Sequence, residues 1–346
     1  MYSESDLQSA VSAGAISHEA AEALRAHAAG MRSAPVADEE HFRLITGFND
    51  IFVTIAAVLL LVACGGIGDA IAPGVAGLLI AGAAWGLAEF FTRRRRMALP
   101  SIVLLLAFVG GVAAIPINIL AESQINLADR VSALLGAGIG VLAAGAAWLH
   151  WRRFMVPITV AAGTAALVAM VIALVVAAFP ALFDGPHGER TLLPLLFAGG
   201  LGVFALAMRW DMSDPRRETR RSDVAFWLHL LAAPMIAHPL FAWLGVADGE
   251  NIGAGAALGV LGIYLLMGVV ALAADRRALL VSALAYVLVA LTWLFDQFGM
   301  VELNVALTGL VIGSALLTLS AFWSPIRAAV VAQMPGSIKA MVPVAA

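Results

Sequence analysis

Charge is scarce in this chain. Only 12% of its 346 residues are Asp, Glu, Lys or Arg, about half the share found in soluble domains. Water is therefore excluded as the main solvent of most of the sequence. Lysine is scarcer still: Lys339 is the only one, and the other 19 basic residues are arginines. A Schiff-base cofactor of the rhodopsin kind needs a lysine inside an apolar run, and none is there. The single cysteine, Cys64, excludes an intramolecular disulfide. The sequence has no glycine-rich phosphate loop, HExxH, CxxC or GxSxG. No motif assigns a catalytic residue, a metal site or a cofactor. A secretory signal is not expected, because the N-terminus carries acids where a basic region would stand and the first apolar run starts near Phe48.

What is present is hydrocarbon. The chain is 62% hydrophobic, with a mean hydropathy of +0.95. A helix needs roughly 20 apolar residues to cross a bilayer, and inside it every backbone polar group must be paired. Ten runs meet that length: 48–66, 72–91, 99–120, 131–149, 155–178, 192–208, 224–246, 252–273, 279–296 and 303–323. Turn residues punctuate the connections, as at Pro73-Gly74, Asp184-Gly185-Pro186 and Asp248-Gly249. The fold class is all-α, a polytopic helical membrane protein of about ten spans. Three parts follow: a cytosolic helical hairpin and linker (1–47), a transmembrane domain (48–323) and a cytosolic tail (324–346).

Arginine sets the orientation. Basic residues in short loops stay on the cytoplasmic side. With the N-terminus inside, the cytoplasmic bends hold Arg93, Arg94, Arg95 and Arg96, then Arg152 and Arg153, then Arg209 to Arg221, then Arg276 and Arg277. Only Arg130 and Arg190 fall outside, together with nine acids. Both termini are then cytoplasmic. The bends also recur in form: RRRRMALPSIVLL, WRRFMVPITVAAG and DRRALLVSALAYV each end one helix on arginines and open the next within a few residues. Proline follows four after the last arginine in two of them (Pro100, Pro157), where a first-turn proline costs little. Glycines four apart (Gly82/Gly86, Gly136/Gly140, Gly255/Gly259, Gly309/Gly313) predict close helix packing, and homo-oligomerisation through the same faces. The arginine bends would meet anionic lipid head groups at most, so no nucleic-acid partner is expected.

Residues 1–47 differ in kind. Ser5-Asp6-Leu7-Gln8 fits a capping box, Gly14 stops that helix, Ser17 caps the next, and Gly30 ends it. A linker through Pro35 and Asp38-Glu39-Glu40 leads to an interfacial His41 to Ile45. The phrase LQSAVSAGAISHEAAEAL, followed by a linker and arginine-ended hairpins, resembles a bacterial family of polytopic membrane proteins of unknown function. That resemblance covers the N-terminal segment specifically and the rest in style. It implies a location in the bacterial inner membrane and supplies no active-site residues.

Ionisable and polar groups at membrane depth are the functional candidates, since each is costly to insert. His229 and His238 stand nine apart, which on a straight helix means opposite faces and about 13 Å along the axis. They would share a metal only if Pro234 broke the helix. Each could relay a proton, or simply bond a neighbouring helix. Asn118, after Pro116, could form half of a polar site at an interrupted helix or satisfy an ordinary kink. Asp296 stands at the outer end of the ninth run and could line a vestibule or be solvated. Glu89 precedes Arg93 by one turn, the favourable order for an ion pair.

Three functions remain open. A carrier or permease for a small solute fits ten spans with both ends inside, which is similar in plan to drug/metabolite transporters. Those contain inverted halves, whereas spans 1–5 here do not visibly echo 6–10. A non-catalytic scaffold or sensor acting through the N-terminal segment fits the scarcity of intramembrane charge. An enzyme modifying lipid or isoprenoid substrates would need clustered acids that the sequence does not show.

Overall fold

A computed structural model describes residues 4–31, 48–123, 125, 127–184, 188–215, 217, 219–246, 253–297, 303–339, 342 and 343. Among these there is helix and no strand. The linker read over 35–45, the Asp248-Gly249 turn and the side chain of Asp296 lie outside the described residues.

Two compact units result, residues 1–42 and 43–346. In the first, α1 (Glu4–Ser12) and α2 (His18–Met31) pack on each other. Gly14 takes a φ of +70° at the turn between them, and the Ser17 hydroxyl accepts a hydrogen bond from the Ala20 N–H at 3.0 Å. Ser17 is thus the cap its spacing predicts. Ser5 is not one, because α1 already contains Glu4.

The second unit holds α3 (Phe48–Ile71), α4 (Val75–Ala88), α5 (Ala98–Glu122), α6 (Asp129–Phe154), α7 (Ile158–Ala178), α8 (Gly188–Met212), α9 (Arg220–Trp243), α10 (Ala254–Ala274), α11 (Ala278–Gln297) and α12 (Asn304–Ala321). A shorter α13 (Trp323–Ala332) follows. Among the described residues ten helices are long and apolar enough to cross a membrane, and they coincide with the ten apolar runs. This is a multi-pass membrane protein. Leucine, isoleucine and valine cover the outer faces of these helices (Leu59, Leu78, Leu135, Leu265, Leu317), where hydrocarbon rather than water solvates them. The cores between helices rely on alanine with a few large side chains. Ala84, Leu104 and Phe108 join α4 and α5. Val203, Ala207 and Leu228 join α8 and α9, and Phe241, Val260 and Val287 join α9 to α10 and α11. Among the described residues the most enclosed span is α9, with 56% of an 18-residue stretch buried, against 6% for α12.

Each arginine-bearing bend joins two helices that pack along each other: α4 with α5, α6 with α7, α8 with α9, α10 with α11. All four bends share one end of the bundle. Arg153 meets Glu89 across the first two, Val156 and Ile158 pack with Trp227 across the second and third, and Arg276 meets Asp211 across the last two. Their backbones share a device that the sequence did not announce. Arg96, Met155, Arg217 and Asp275 have φ of 53°, 54°, 56° and 55°, so among the described residues each bend carries one non-glycine residue in the left-handed region. That conformation costs an L-residue roughly 1–2 kcal/mol. The first bend is reached through a π-helical turn, Glu89–Arg94, which widens the end of α4.

Close helix approach occurs mostly away from the glycines picked by spacing. Gly82, Gly86, Gly255, Gly309 and Gly313 have open space where a Cβ would stand, and only Gly140 of those pairs abuts backbone, at Ala166 and Met170. Tighter contacts are Gly68 of α3 against the Ala76 backbone of α4, Gly77 against Gly111, where an added Cβ would come within 2.6 Å of a carbonyl oxygen, and Gly200 against Met235.

Candidate functional site

Among the described residues a cluster of buried charges lies at the arginine-bearing end of α8 to α13. Asp211 sits in the last turn of α8, one residue from its end, and is 2% exposed. Its carboxylate accepts from Arg276 Nη2 at 2.5 Å and from His229 Nε2 at 2.8 Å. Arg276 stands in the α10–α11 bend just after Asp275, whose left-handed conformation ends α10 and turns the chain. From there the Arg276 guanidinium also donates to the Ser222 carbonyl at 3.1 Å, in the first turn of α9. His229 lies two turns further along α9 and is fully buried, edge-on to Phe204.

A second carboxylate completes the cluster. Asp275 Oδ2 accepts from Arg217 Nη1 at 2.8 Å, and Oδ1 accepts from the Trp323 indole N–H at 2.7 Å. Arg327 lies 3.6 Å from the same Oδ1 and donates to the Pro343 carbonyl at 2.6 Å. Asp214 closes the α8–α9 bend by accepting from the Thr219 N–H at 2.9 Å and its hydroxyl at 2.7 Å, while Thr219 caps α9. Asp211, Asp214 and Asp275 thus balance Arg217, Arg276 and Arg327 in a group almost entirely shut from solvent. Burial lowers the Arg217 guanidinium pKa from its ordinary value and the like charge of Arg276 adds to this, while Asp275 and Asp211 oppose it. Arginine's ordinary pKa is so high that it stays charged.

His229 gives its Nε2 proton to Asp211 when neutral, which leaves Nδ1 bare. That atom is buried with no hydrogen-bond partner among the described residues. A carboxylate–imidazole pair with one unused nitrogen can take up a proton, at the cost of placing a further charge beside Arg276. No protein-family model, curated protein or solved structure matches the chain. What the site does must therefore be read from its own geometry.

Of the residues singled out by sequence, only His229 and Arg276 enter this cluster. Helix α9 runs unbroken through Pro234 and Pro239, so His238 falls on another face, exposed, with its Nδ1 2.8 Å from the Tyr286 hydroxyl. Asn118 is half-buried in α5, which also continues through Pro116. Glu89 pairs with Arg93 at 3.4 Å, as its spacing predicts, but more closely with Arg153, at 2.6 and 2.9 Å. Arg93, Arg94, Arg95, Arg96, Arg152 and Arg153 are exposed at their bends, and Arg277 is half-buried over the Trp323 ring. Among the described residues no three His, Cys, Asp or Glu side chains stand close enough to hold a metal ion.

Sequence reasoning missed Asp211, Asp214, Arg217, Asp275, Trp323 and Arg327. The signal was available in part: ADRR places an acid directly against arginine, and RWDMSD places one two residues from it. A second buried histidine was also missed. His150 is fully enclosed by Trp85, Phe108 and Phe154, with Nδ1 3.3 Å from the Thr159 hydroxyl.

Proposed function

We propose that the protein is a carrier for a small solute, with the arginine-bearing face closed by the Asp211–His229–Arg276 and Asp275–Arg217–Arg327 pairs acting as a gate. The observation that carries this reading is the burial of a charge-balanced cluster that ties α8, α9, the α10–α11 bend and α13 at one face. Burying each ion there costs several kcal/mol, and well-packed apolar residues would hold a static block at least as firmly. Ion pairs gain an advantage when the same groups must also be stable apart, in water, after the bends separate. A gate needs that property and a permanent clamp does not. Arginine bias puts this face in the cytoplasm, with both termini inside. The resemblance of residues 7–24 supports the bacterial inner membrane as the bilayer concerned.

The test replaces Cys64 by serine and introduces single cysteines at Asn118, Ala233 and His238. A membrane-impermeant thiol reagent is then applied from each side of sealed vesicles. With the cluster intact, Ala233→Cys is protected from the cytoplasmic side, and adding Arg276→Gln exposes it. Protection of all three positions in both backgrounds, in folded protein, would sink the carrier.

That outcome would favour a scaffold or sensor, a reading supported by residues 1–42 forming a compact unit of their own. Deleting residues 1–40 would then abolish co-purification of a partner while leaving the membrane unit folded.

A further inference from the structure

Asp211, Asp214 and Asp275 stand against Arg217, Arg276 and Arg327, charge for charge, so the closed cluster is neutral only while His229 is neutral. Imidazole is the member of this group whose ordinary titration falls near neutral pH. Its Nε2 is held 2.8 Å from the Asp211 carboxylate, and its Nδ1 is buried with no hydrogen-bond partner among the described residues. A polar atom left bare in a sealed interior is costly, and a static clamp has no use for it.

The charged groups that act on His229 are Asp211, Arg276 and Arg217. The other packed elements bring it no counter-charge. Helix α8 sets Phe204 edge-on to the ring. Helix α10 brings Tyr264, which packs with Phe204 and Ala233 and whose hydroxyl is likewise bare among the described residues. Helix α7 carries no ionisable side chain, and Tyr286 of α11 is engaged by His238, more than two turns further along α9. On α9 itself, half-buried Asp223 and exposed Arg220 and Arg221 precede His229 by six residues or more. A proton on Nδ1 in the closed state would thus leave the cluster with an uncompensated positive charge beside two guanidinium groups. With the bends apart, water solvates that charge and Asp211 can still pair with the imidazolium.

We infer that opening of the arginine-bearing face takes up one proton at His229 Nδ1, which couples the carrier to hydrogen ions. This inference rests on the reading of the cluster as a gate. The step balances without a co-reactant: hydronium at the cytoplasmic face loses a proton to Nδ1, the Nε2 hydrogen stays with Asp211, and the added proton returns to water before the bends close. The open state binds the proton more tightly than the closed one, so acid on the cytoplasmic side shifts the population towards opening. Reciprocally, whatever holds the face open raises the affinity of His229 for its proton.

The experiment labels Ala233→Cys, in the Cys64→Ser background, from the cytoplasmic side of sealed vesicles at about pH 8 and about pH 6. Each rate is divided by that of Met155→Cys, an exposed position at another bend, so that ionisation of the thiol itself cancels. The ratio should rise roughly fourfold in acid, the factor by which a hydrated imidazole of ordinary pKa, about 6.5, favours the state that binds its proton over that interval. His229→Gln, which can still donate to Asp211 but does not titrate, should make the ratio independent of pH; His229→Asn serves if that variant does not fold. His238→Gln should leave the rise intact. A flat ratio in the wild type, while Arg276→Gln still exposes Ala233→Cys, would overturn the proton coupling and leave the gate standing. A flat ratio with no exposure in Arg276→Gln would sink both. A rise that survives His229→Gln, or that His238→Gln abolishes, would place the titrating group elsewhere and overturn the assignment to His229.

Discussion

At the scale of single residues, two ion pairs at the same face of the protein have different physical weight. Glu89 and Arg153 meet at 2.6 Å but are 32% and 41% exposed, so water competes for both. Asp211 is sealed with Arg276 and His229 around it. Removing its charge leaves a buried guanidinium without its counter-ion, a loss of about 3–5 kcal/mol in comparable sites. Asp211→Asn should therefore lower the thermal midpoint in detergent markedly, whereas Glu89→Gln should leave it within error. Equal shifts for the two would mean that the Asp211 cluster is hydrated in the folded protein. This difference was not legible in sequence. Arg276 and Arg153 look alike there, each the neighbour of another arginine at a bend. Each reaches an acid near the preceding bend, 64 residues back for Arg153 and 65 for Arg276, and what separates them is burial, which only the packing of the hairpins creates.

At the scale of elements, the helices were legible because hydrocarbon demands continuous apolar runs, and all ten appear where the runs lie. The packing contacts were not. A Gly-xxx-Gly spacing marks one helix face, but whether another helix covers that face depends on its partner. Gly309 and Gly313 fit the pattern and meet nothing, while Gly77 and Gly111 approach each other from different helices with no spacing to reveal them. The left-handed bend residues were equally hidden, because glycine or asparagine is the usual occupant of that conformation. Met155 is 43% exposed and gives up little contact, so Met155→Gly should relieve strain and stabilise the protein by about 1 kcal/mol. Asp275→Gly should do the reverse, since it removes the acceptor of Arg217 and Trp323. A fall in midpoint for Met155→Gly would show that the side chain contributes more than its backbone costs.

At the scale of the whole molecule, charge asymmetry is the property that the sequence displays most openly. Eighteen of the 20 basic residues fall in segments assigned to one side. Reporters of membrane sidedness fused after residue 125 and after residue 343 should read opposite compartments, the first outside and the second cytoplasmic. Two readings on the same side would remove a span from the topology. The cluster itself could not be read at this scale, because net charge counts its acids and arginines as cancelling and says nothing of where they cancel.

The wide sequence separation within that cluster has a consequence for how the chain is made. Asp211 is 65 residues ahead of Arg276, and Asp275 is 48 ahead of Trp323. At roughly 5–20 residues per second, a ribosome delivers Arg276 about 3–13 s after Asp211. Through that interval Asp211 lacks the Arg276 guanidinium, whereas Asp275 finds Arg217 already made and waits only for the Trp323 indole. The Asp211 cluster is thus completed late, and a chain that ends before Arg276 leaves the Asp211 carboxylate without the guanidinium that balances it.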